Sequence, residues 1–213
     1  MNKQKQRDLV AAAAALAAFL LWTAAVRLID VQTIGPAGST VGFAALNGFV
    51  HRLTGVHWTL YGMTDWLGLV PAAVMGGFAL VGLVQWIRRK NLLKVDRSIL
   101  MLGGFYVAVA AAYLFFERFP VNFRPVLIDG VLEASYPSST TFLVLTVMPT
   151  AMMQAASRIK IPARKRGLSL VITAFTAFMV IGRLISGVHW LTDIVGGILL
   201  SAGFVLLYRA FAE

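Results

Sequence analysis

Between two long apolar runs lies the stretch Gly182-Arg183-Leu184-Ile185-Ser186-Gly187-Val188-His189-Trp190-Leu191-Thr192-Asp193, a small charged island at the edge of what reads as hydrocarbon. Arginine, histidine and aspartate are costly there unless they pair or serve a site, so ionisable residues at membrane depth are functional candidates. If the chain is helical from Trp190 onward, His189 and Asp193 stand one turn apart on one face. The carboxylate can then hold one ring nitrogen and leave the other free, which prepares a histidine for nucleophilic or acid/base work. The same residues also suit a plain helix end, with an N-terminal aspartate settling the helix dipole.

Two further polar segments stand beside long apolar runs. In Ser135-Tyr136-Pro137-Ser138-Ser139-Thr140-Thr141, proline and hydroxyl residues sit where a helix begins. Free backbone N–H groups at such a start attract anions, although serine and threonine also serve there as ordinary caps. The segment from Glu117 to Pro125 contributes Arg124-Pro125. Two arginines with forked donors, a helix N-terminus and an Asp-oriented histidine together make a phosphate site.

The elements that must position these residues are membrane spans. The chain is 59% hydrophobic and 13% charged, with a mean hydropathy of +0.78, whereas soluble domains carry about 25% charged residues. Its 213 residues therefore divide into apolar runs of about 20 residues. Expected spans run from Leu9 to Ile29, Trp66 to Ile87, Ile99 to Phe116, Ser138 to Ala156, Leu168 to Leu184 and His189 to Leu207. The first also has the basic start of a signal peptide, but its apolar core is longer than such peptides need. Between the first two spans, Phe43 to Leu53 predicts a short interfacial or re-entrant helix. The expected fold is an all-α polytopic bundle of six transmembrane helices forming one domain over residues 1–213. The glycine pairs Gly76-Gly77, Gly103-Gly104 and Gly196-Gly197 are expected to allow close helix packing, and Pro149 to kink the fourth span.

With six spans the basic residues sort by side. Lys3, Lys5 and Arg7, the clusters Arg88 to Arg97 and Arg158 to Arg166, and Arg209 fall on one side; Arg27, Arg52, Arg118, Arg124 and Arg183 fall on the other. By the positive-inside rule the first group faces the cytoplasm, with both termini. The net charge of +10 is thus a topology signal and poor support for nucleic-acid binding. The three polar segments meet on the extracytoplasmic face of the cell membrane. The absence of cysteine excludes disulfide and thiolate chemistry.

Over roughly residues 116–207 the sequence resembles the type 2 phosphatidic acid phosphatase superfamily of membrane lipid phosphatases. That family's pattern is Lys, six residues, Arg-Pro; then Pro-Ser-Gly-His; then Ser-Arg, five residues, His, three residues, Asp. The third part is matched by Gly182-Arg183, His189 and Asp193, with glycine for serine. The first keeps Arg124-Pro125 but has Glu117 at the lysine position. The second keeps Pro137-Ser138 but has Ser139 for glycine and Thr140 for histidine.

The resemblance implies that Arg124 and Arg183 clamp the phosphoryl oxygens, with Ser138 and Ser139 at the helix start. It implies that His189 attacks phosphorus to form a phosphohistidine and that Asp193 orients it, with neither metal nor cofactor. The family's acid for the leaving oxygen falls on Thr140, whose hydroxyl is too weak an acid. Such an acid contributes about a hundred- to ten-thousand-fold and matters most for a poor leaving group. A lipid diphosphate, such as a polyprenyl diphosphate, leaves as a phosphate and is the expected substrate ahead of phosphatidate. Alternatively His51, His57, Glu117 or Glu133 supplies the proton. Two other functions suit the same residues: a non-catalytic lipid-phosphate binder or transporter, and a lipid phosphotransferase. Hydropathy disfavours a soluble vanadate-dependent haloperoxidase, which shares the core of this fold. The expected partners are a phosphorylated membrane lipid and the bilayer; the oligomeric state is left open.

Overall fold

The computed structural model describes residues 3–212 as a helical bundle. Its α-helices are α1 (Lys3–Leu28), α2 (Ala44–Thr54), α3 (Trp58–Leu67), α4 (Leu69–Arg89), α5 (Arg97–Arg118), α6 (Ser139–Ala156), α7 (Pro162–Ile185) and α8 (Leu191–Ala212). The long apolar runs form helices because hydrocarbon leaves the backbone no other partner for its N–H and C=O groups.

Among the described residues, five segments are long and apolar enough to cross a membrane: α1, the near-continuous Trp58–Arg89, α5, α7 and α8. The expected fourth span corresponds to α6, which is not among them. Its 18 residues bury Thr141, Thr146, Thr150 and Gln154 as well as Val144 and Val147. Packed against α4, α5, α7 and α8, this helix is shielded from lipid by its neighbours and has less need of a uniformly apolar surface. Pro149 lies inside it.

The expected second span begins earlier than its apolar run. Trp58–Arg89 has 32 residues; at about 1.5 Å per residue it is roughly 48 Å long, against about 30 Å of hydrocarbon. The surplus is α3, which reaches past the apolar layer to the charged island and packs against α7. The short expected helix is α2. It exposes Leu46, Phe49 and Leu53 and buries Asn47, whose amide clamps the first turn of α8. Asn47 Nδ2 donates to Gly42 O (2.8 Å) and Thr192 Oγ1 (3.0 Å), and its Oδ1 accepts from Thr192 N (3.2 Å).

At the other end of the bundle, Arg209 near the end of α8 pairs with buried Asp8 in α1. The two terminal helices therefore end together, remote from the island. Of the glycine pairs, only Gly196-Gly197 makes close contacts. A Cβ on Gly196 would stand 2.6 Å from the Tyr136 ring, whereas Gly76, Gly77, Gly103 and Gly104 face open space. The expected packing role of those four is thus corrected: their missing side chains leave no neighbour closer.

Candidate active site

Tyr136 fixes the polar segment before α6. Its ring is buried against Phe19 and Gly196, and its hydroxyl lies 2.7 Å from Thr23 Oγ1. With this side chain seated in the core, Ser138 N donates to Asp193 O (3.0 Å), tying the start of α6 to α8. Ser138 is fully buried and its Oγ accepts from Thr141 N (3.4 Å), which caps α6. Ser139 and Thr140, one step further on, line the adjacent cavity.

The island folds as a reversal between α7 and α8. Gly187 has φ +71°, and a Cβ there would meet Gly55 O at 1.8 Å, so the turn requires glycine both for conformation and for space. His57 N donates to Ser186 O (3.0 Å) and fastens the turn to the start of α3. His189 then lies in the loop, ahead of α8. Trp190 anchors it by donating from Nε1 to Phe123 O (2.8 Å).

His189 and Asp193 approach as the spacing suggests, but at one remove. Their Nδ1 and Oδ2 are 3.7 Å apart, too far for a hydrogen bond. Ser135 Oγ stands between them, 3.0 Å from His189 Nδ1, and donates to Asp193 Oδ2. The same Oδ2 accepts from Trp190 N (2.9 Å), so Asp193 also caps α8. On the opposite side of the ring, Arg124 Nη1 is 3.3 Å from His189 Nε2. Burial first, then the charges of Arg124 and Arg183, hold the imidazole well below its ordinary value, so the ring is neutral at neutral pH.

Arg124 is presented by a hairpin across residues 123–134. Its N donates to Glu133 O (3.1 Å), and the hairpin turns at Asp129-Gly130, both with positive φ, the signature of a type I′ turn. This pairing brings Glu133 Oε2 within 3.0 Å of Arg124 Nε. Arg183 is 1% exposed and meets α3 through Asp65 Oδ1 (3.5 Å), Thr64 Oγ1 (3.4 Å) and the Tyr61 ring (5.1 Å). Its Nε has no hydrogen-bond partner among the described residues. A buried guanidinium with an unused donor is suited to an anion.

Gly182 makes the Arg183 arrangement possible. A Cβ there would lie 2.8 Å from Thr64 Cγ2, so the glycine lets α3 approach α7 closely enough for Thr64 and Asp65 to reach Arg183.

Both arginines open on a cavity of about 700 Å³, also lined by Asp65, Glu117, Glu133, Ser139 and Thr140. It continues between α4 and α5 over Leu69, Ala72, Met75 and Ala110, so a charged head is joined to an apolar wall. His51 and His57 are elsewhere. His51 packs its ring on Trp190 (5.5 Å between centroids) and burial lowers its pKa; His57 Nε2 is 2.7 Å from Thr54 O. Sequence reasoning missed Ser135 as a partner of the histidine, and Tyr61, Thr64 and Asp65 entirely. Ser135 stands in a segment already marked by its hydroxyls, whereas nothing in the composition of α3 signals its role.

A family model described as the PAP2 superfamily matches residues 101–213. Among solved structures, the chain is similar to the first transmembrane PAP2-type phosphatidylglycerolphosphate phosphatase from Bacillus subtilis, with a TM-score of 0.61 and 16% identity over 94% of this chain and 95% of that one. At that identity the likeness concerns the fold. No curated protein matches the sequence.

Proposed function

The chain belongs to the PAP2 superfamily, and we propose that it is an integral-membrane lipid phosphatase that works at the extracytoplasmic face through a phosphohistidine. The observation that carries this reading is the approach of Arg124 Nη1 to within 3.3 Å of His189 Nε2. A phosphoryl group held by that guanidinium stands beside a neutral ring nitrogen. Arg183 opens on the same cavity, and the apolar wall between α4 and α5 suits the chain of a lipid entering from the side.

In the first step the Nε2 lone pair forms a bond to phosphorus, and the bond from phosphorus to the lipid-side oxygen breaks with its electron pair on that oxygen. Arg124 and Arg183 stabilise the charge gathering on the equatorial oxygens. In the second, water attacks phosphorus, the N–P bond returns its pair to Nε2, and inorganic phosphate leaves.

The leaving oxygen needs a proton when it belongs to an alcohol. Thr140 lines the cavity but its hydroxyl is too weak an acid. Of the four alternatives, Glu117 and Glu133 line the cavity, while His51 and His57 do not. Glu133 is paired with Arg124 at 3.0 Å; Glu117 makes no ion pair among the described residues. Glu117 is therefore the donor in this reading, and in the second step its carboxylate takes the proton of the attacking water. A diphosphate leaves as a phosphate and depends less on this help, so a lipid diphosphate is the preferred substrate.

The distribution of charge supports the extracytoplasmic face. The Asp8–Arg209 pair puts the basic N-terminal segment at the end of the bundle opposite His189, which the positive-inside rule assigns to the cytoplasm. Phosphate release by the purified protein from a polyprenyl diphosphate and from phosphatidate tests the reading. Release from the diphosphate that is lost in His189→Ala supports it; binding of both lipids without release overturns it in favour of a lipid-phosphate binder.

A further inference from the structure

Ser135 is 3% exposed, and its hydroxyl has one proton to give. That proton goes to Asp193 Oδ2, the oxygen that also accepts from Trp190 N (2.9 Å). The contact with His189 Nδ1 at 3.0 Å is then satisfied only if Nδ1 carries a proton and donates to Ser135 Oγ. On the far side of the ring, Arg124 Nη1 is a permanent donor 3.3 Å from Nε2, so Nε2 must accept. Two contacts on opposite edges of the imidazole thus require the same tautomer.

We infer that Ser135 is a positioning residue, which transmits the hold of Asp193 to His189 and keeps Nδ1 protonated with the Nε2 lone pair on the edge that faces Arg124. Direct contact does not do this, since Nδ1 and Oδ2 are 3.7 Å apart. The backbone makes the arrangement firm. Ser135 N donates to Asn122 O (2.9 Å), the next residue is the core-anchored Tyr136, and Asp193 Oδ2 is fixed by Trp190 N (2.9 Å).

The catalytic consequence rests on the phosphohistidine reading above. When Nε2 bonds to phosphorus, the ring becomes positive while Nδ1 keeps its proton. The Ser135 hydroxyl dipole, backed by the Asp193 carboxylate, stabilises that charge, and no proton need leave the ring. The groups that face the imidazole are Ser135 and Asp193 at Nδ1 and the guanidinium of Arg124 at Nε2, with the charge of Arg183 also felt by the ring.

Nitrogen-15 NMR of histidine-labelled protein in micelles, with the His189 signals assigned by their loss in His189→Gln, tests the tautomer without requiring turnover. The wild type and Ser135→Thr, which retains the hydroxyl, are expected to show His189 protonated at Nδ1. In Arg124→Ala, where Ser135 alone holds the ring, Nδ1 is expected to stay protonated, and adding Ser135→Ala is expected to give a mixture of tautomers. A wild-type ring protonated at Nε2, a mixture already present in Arg124→Ala, or an unchanged tautomer in the double variant overturns the inference.

A kinetic cycle adds the coupling. Ser135→Ala is expected to lower kcat by up to about 10,000-fold, the order seen when a tautomer-setting partner of a catalytic histidine is lost, with little change in KM. In that background Asp193→Asn is expected to cost almost nothing further, because its effect passes through the missing hydroxyl. Independent, multiplying losses overturn the relay. Absence of turnover in the wild type overturns the phosphatase reading while leaving the NMR result to judge Ser135.

Discussion

Arg124 Nη1 lies 3.3 Å from His189 Nε2, so the proposed anion clamp and the proposed attacking nitrogen share one small space. In that reading a phosphate taken up by this arginine arrives already beside the nucleophile. Such positioning replaces a random encounter with a bound one and can supply a large part of a catalytic barrier.

In the proposed reading the forked guanidinium of Arg124 serves both phosphate oxygens and Nε2. Arg124→Lys keeps the charge but presents a single ammonium. The loss of a charged hydrogen bond, about 1.5–3 kcal/mol, corresponds to a fall in kcat/KM of roughly 10- to 150-fold. Steady-state hydrolysis of a lipid diphosphate measures it, and an unchanged kcat/KM removes Arg124 from the clamp.

Glu133 competes with phosphate for Arg124. Its carboxylate is 3.0 Å from Nε and its side chain is 40% exposed, so the pair is worth at most about 1 kcal/mol. Glu133→Gln is expected to strengthen product inhibition by inorganic phosphate by up to about 5-fold. Weaker inhibition in the variant would mean that Glu133 helps to hold the anion.

Glu117→Gln separates the two kinds of substrate. Without a proton donor, turnover of phosphatidate is expected to fall about 100-fold, at the lower end of what general acid catalysis contributes. Turnover of a lipid diphosphate is expected to change far less. Equal losses on both lipids would assign Glu117 to binding or folding.

The acidic limb of activity follows from the His189 environment. As the proposed nucleophile, His189 must be neutral, and its pKa is held well below the ordinary value by burial and then by Arg124 and Arg183. As pH falls through 6.5, an unperturbed histidine would be half protonated, whereas this ring stays neutral. The limb of kcat/KM attributable to His189 is therefore expected well below pH 6.5. A limb centred at 6.5 or above, and removed by no other substitution, contradicts the buried arrangement.

Much of the fold was legible because apolar runs of about 20 residues have one stable form in hydrocarbon. The less legible parts depend on what a segment packs against. α6 reads as a span like the others, yet Thr141, Thr146, Thr150 and Gln154 are buried, which its enclosure by other helices explains. Trp58 to Asp65 falls between the expected short interfacial helix and the expected second span, and it proves to be helix supporting Arg183. In the site, the spacing of Arg183, His189 and Asp193 pointed to one cluster, but spacing carries no information about Ser135, which lies 54 positions before His189. Gly182 looked like a departure from a motif. Its contact with Thr64 gives it a packing reason.

That packing reason is itself testable. Gly182→Ala forces a Cβ to 2.8 Å from Thr64 Cγ2, and overpacking of this kind costs about 1–3 kcal/mol. The variant is expected to melt lower in micelles, and adding Thr64→Ser, which removes the methyl, is expected to restore most of the loss. Failure of the second substitution to restore stability would show that the strain lies elsewhere.

The central claim is that His189 carries the phosphoryl group. It is tested most directly by rapid acid-free quenching of the purified protein during turnover of a lipid diphosphate labelled with phosphorus-32 in its terminal phosphate, followed by electrophoresis. The account predicts a labelled protein band that survives alkali, is lost in mild acid as a phosphohistidine should be, and is absent in His189→Ala. Turnover without any labelled protein, or a label that persists in His189→Ala, would contradict it.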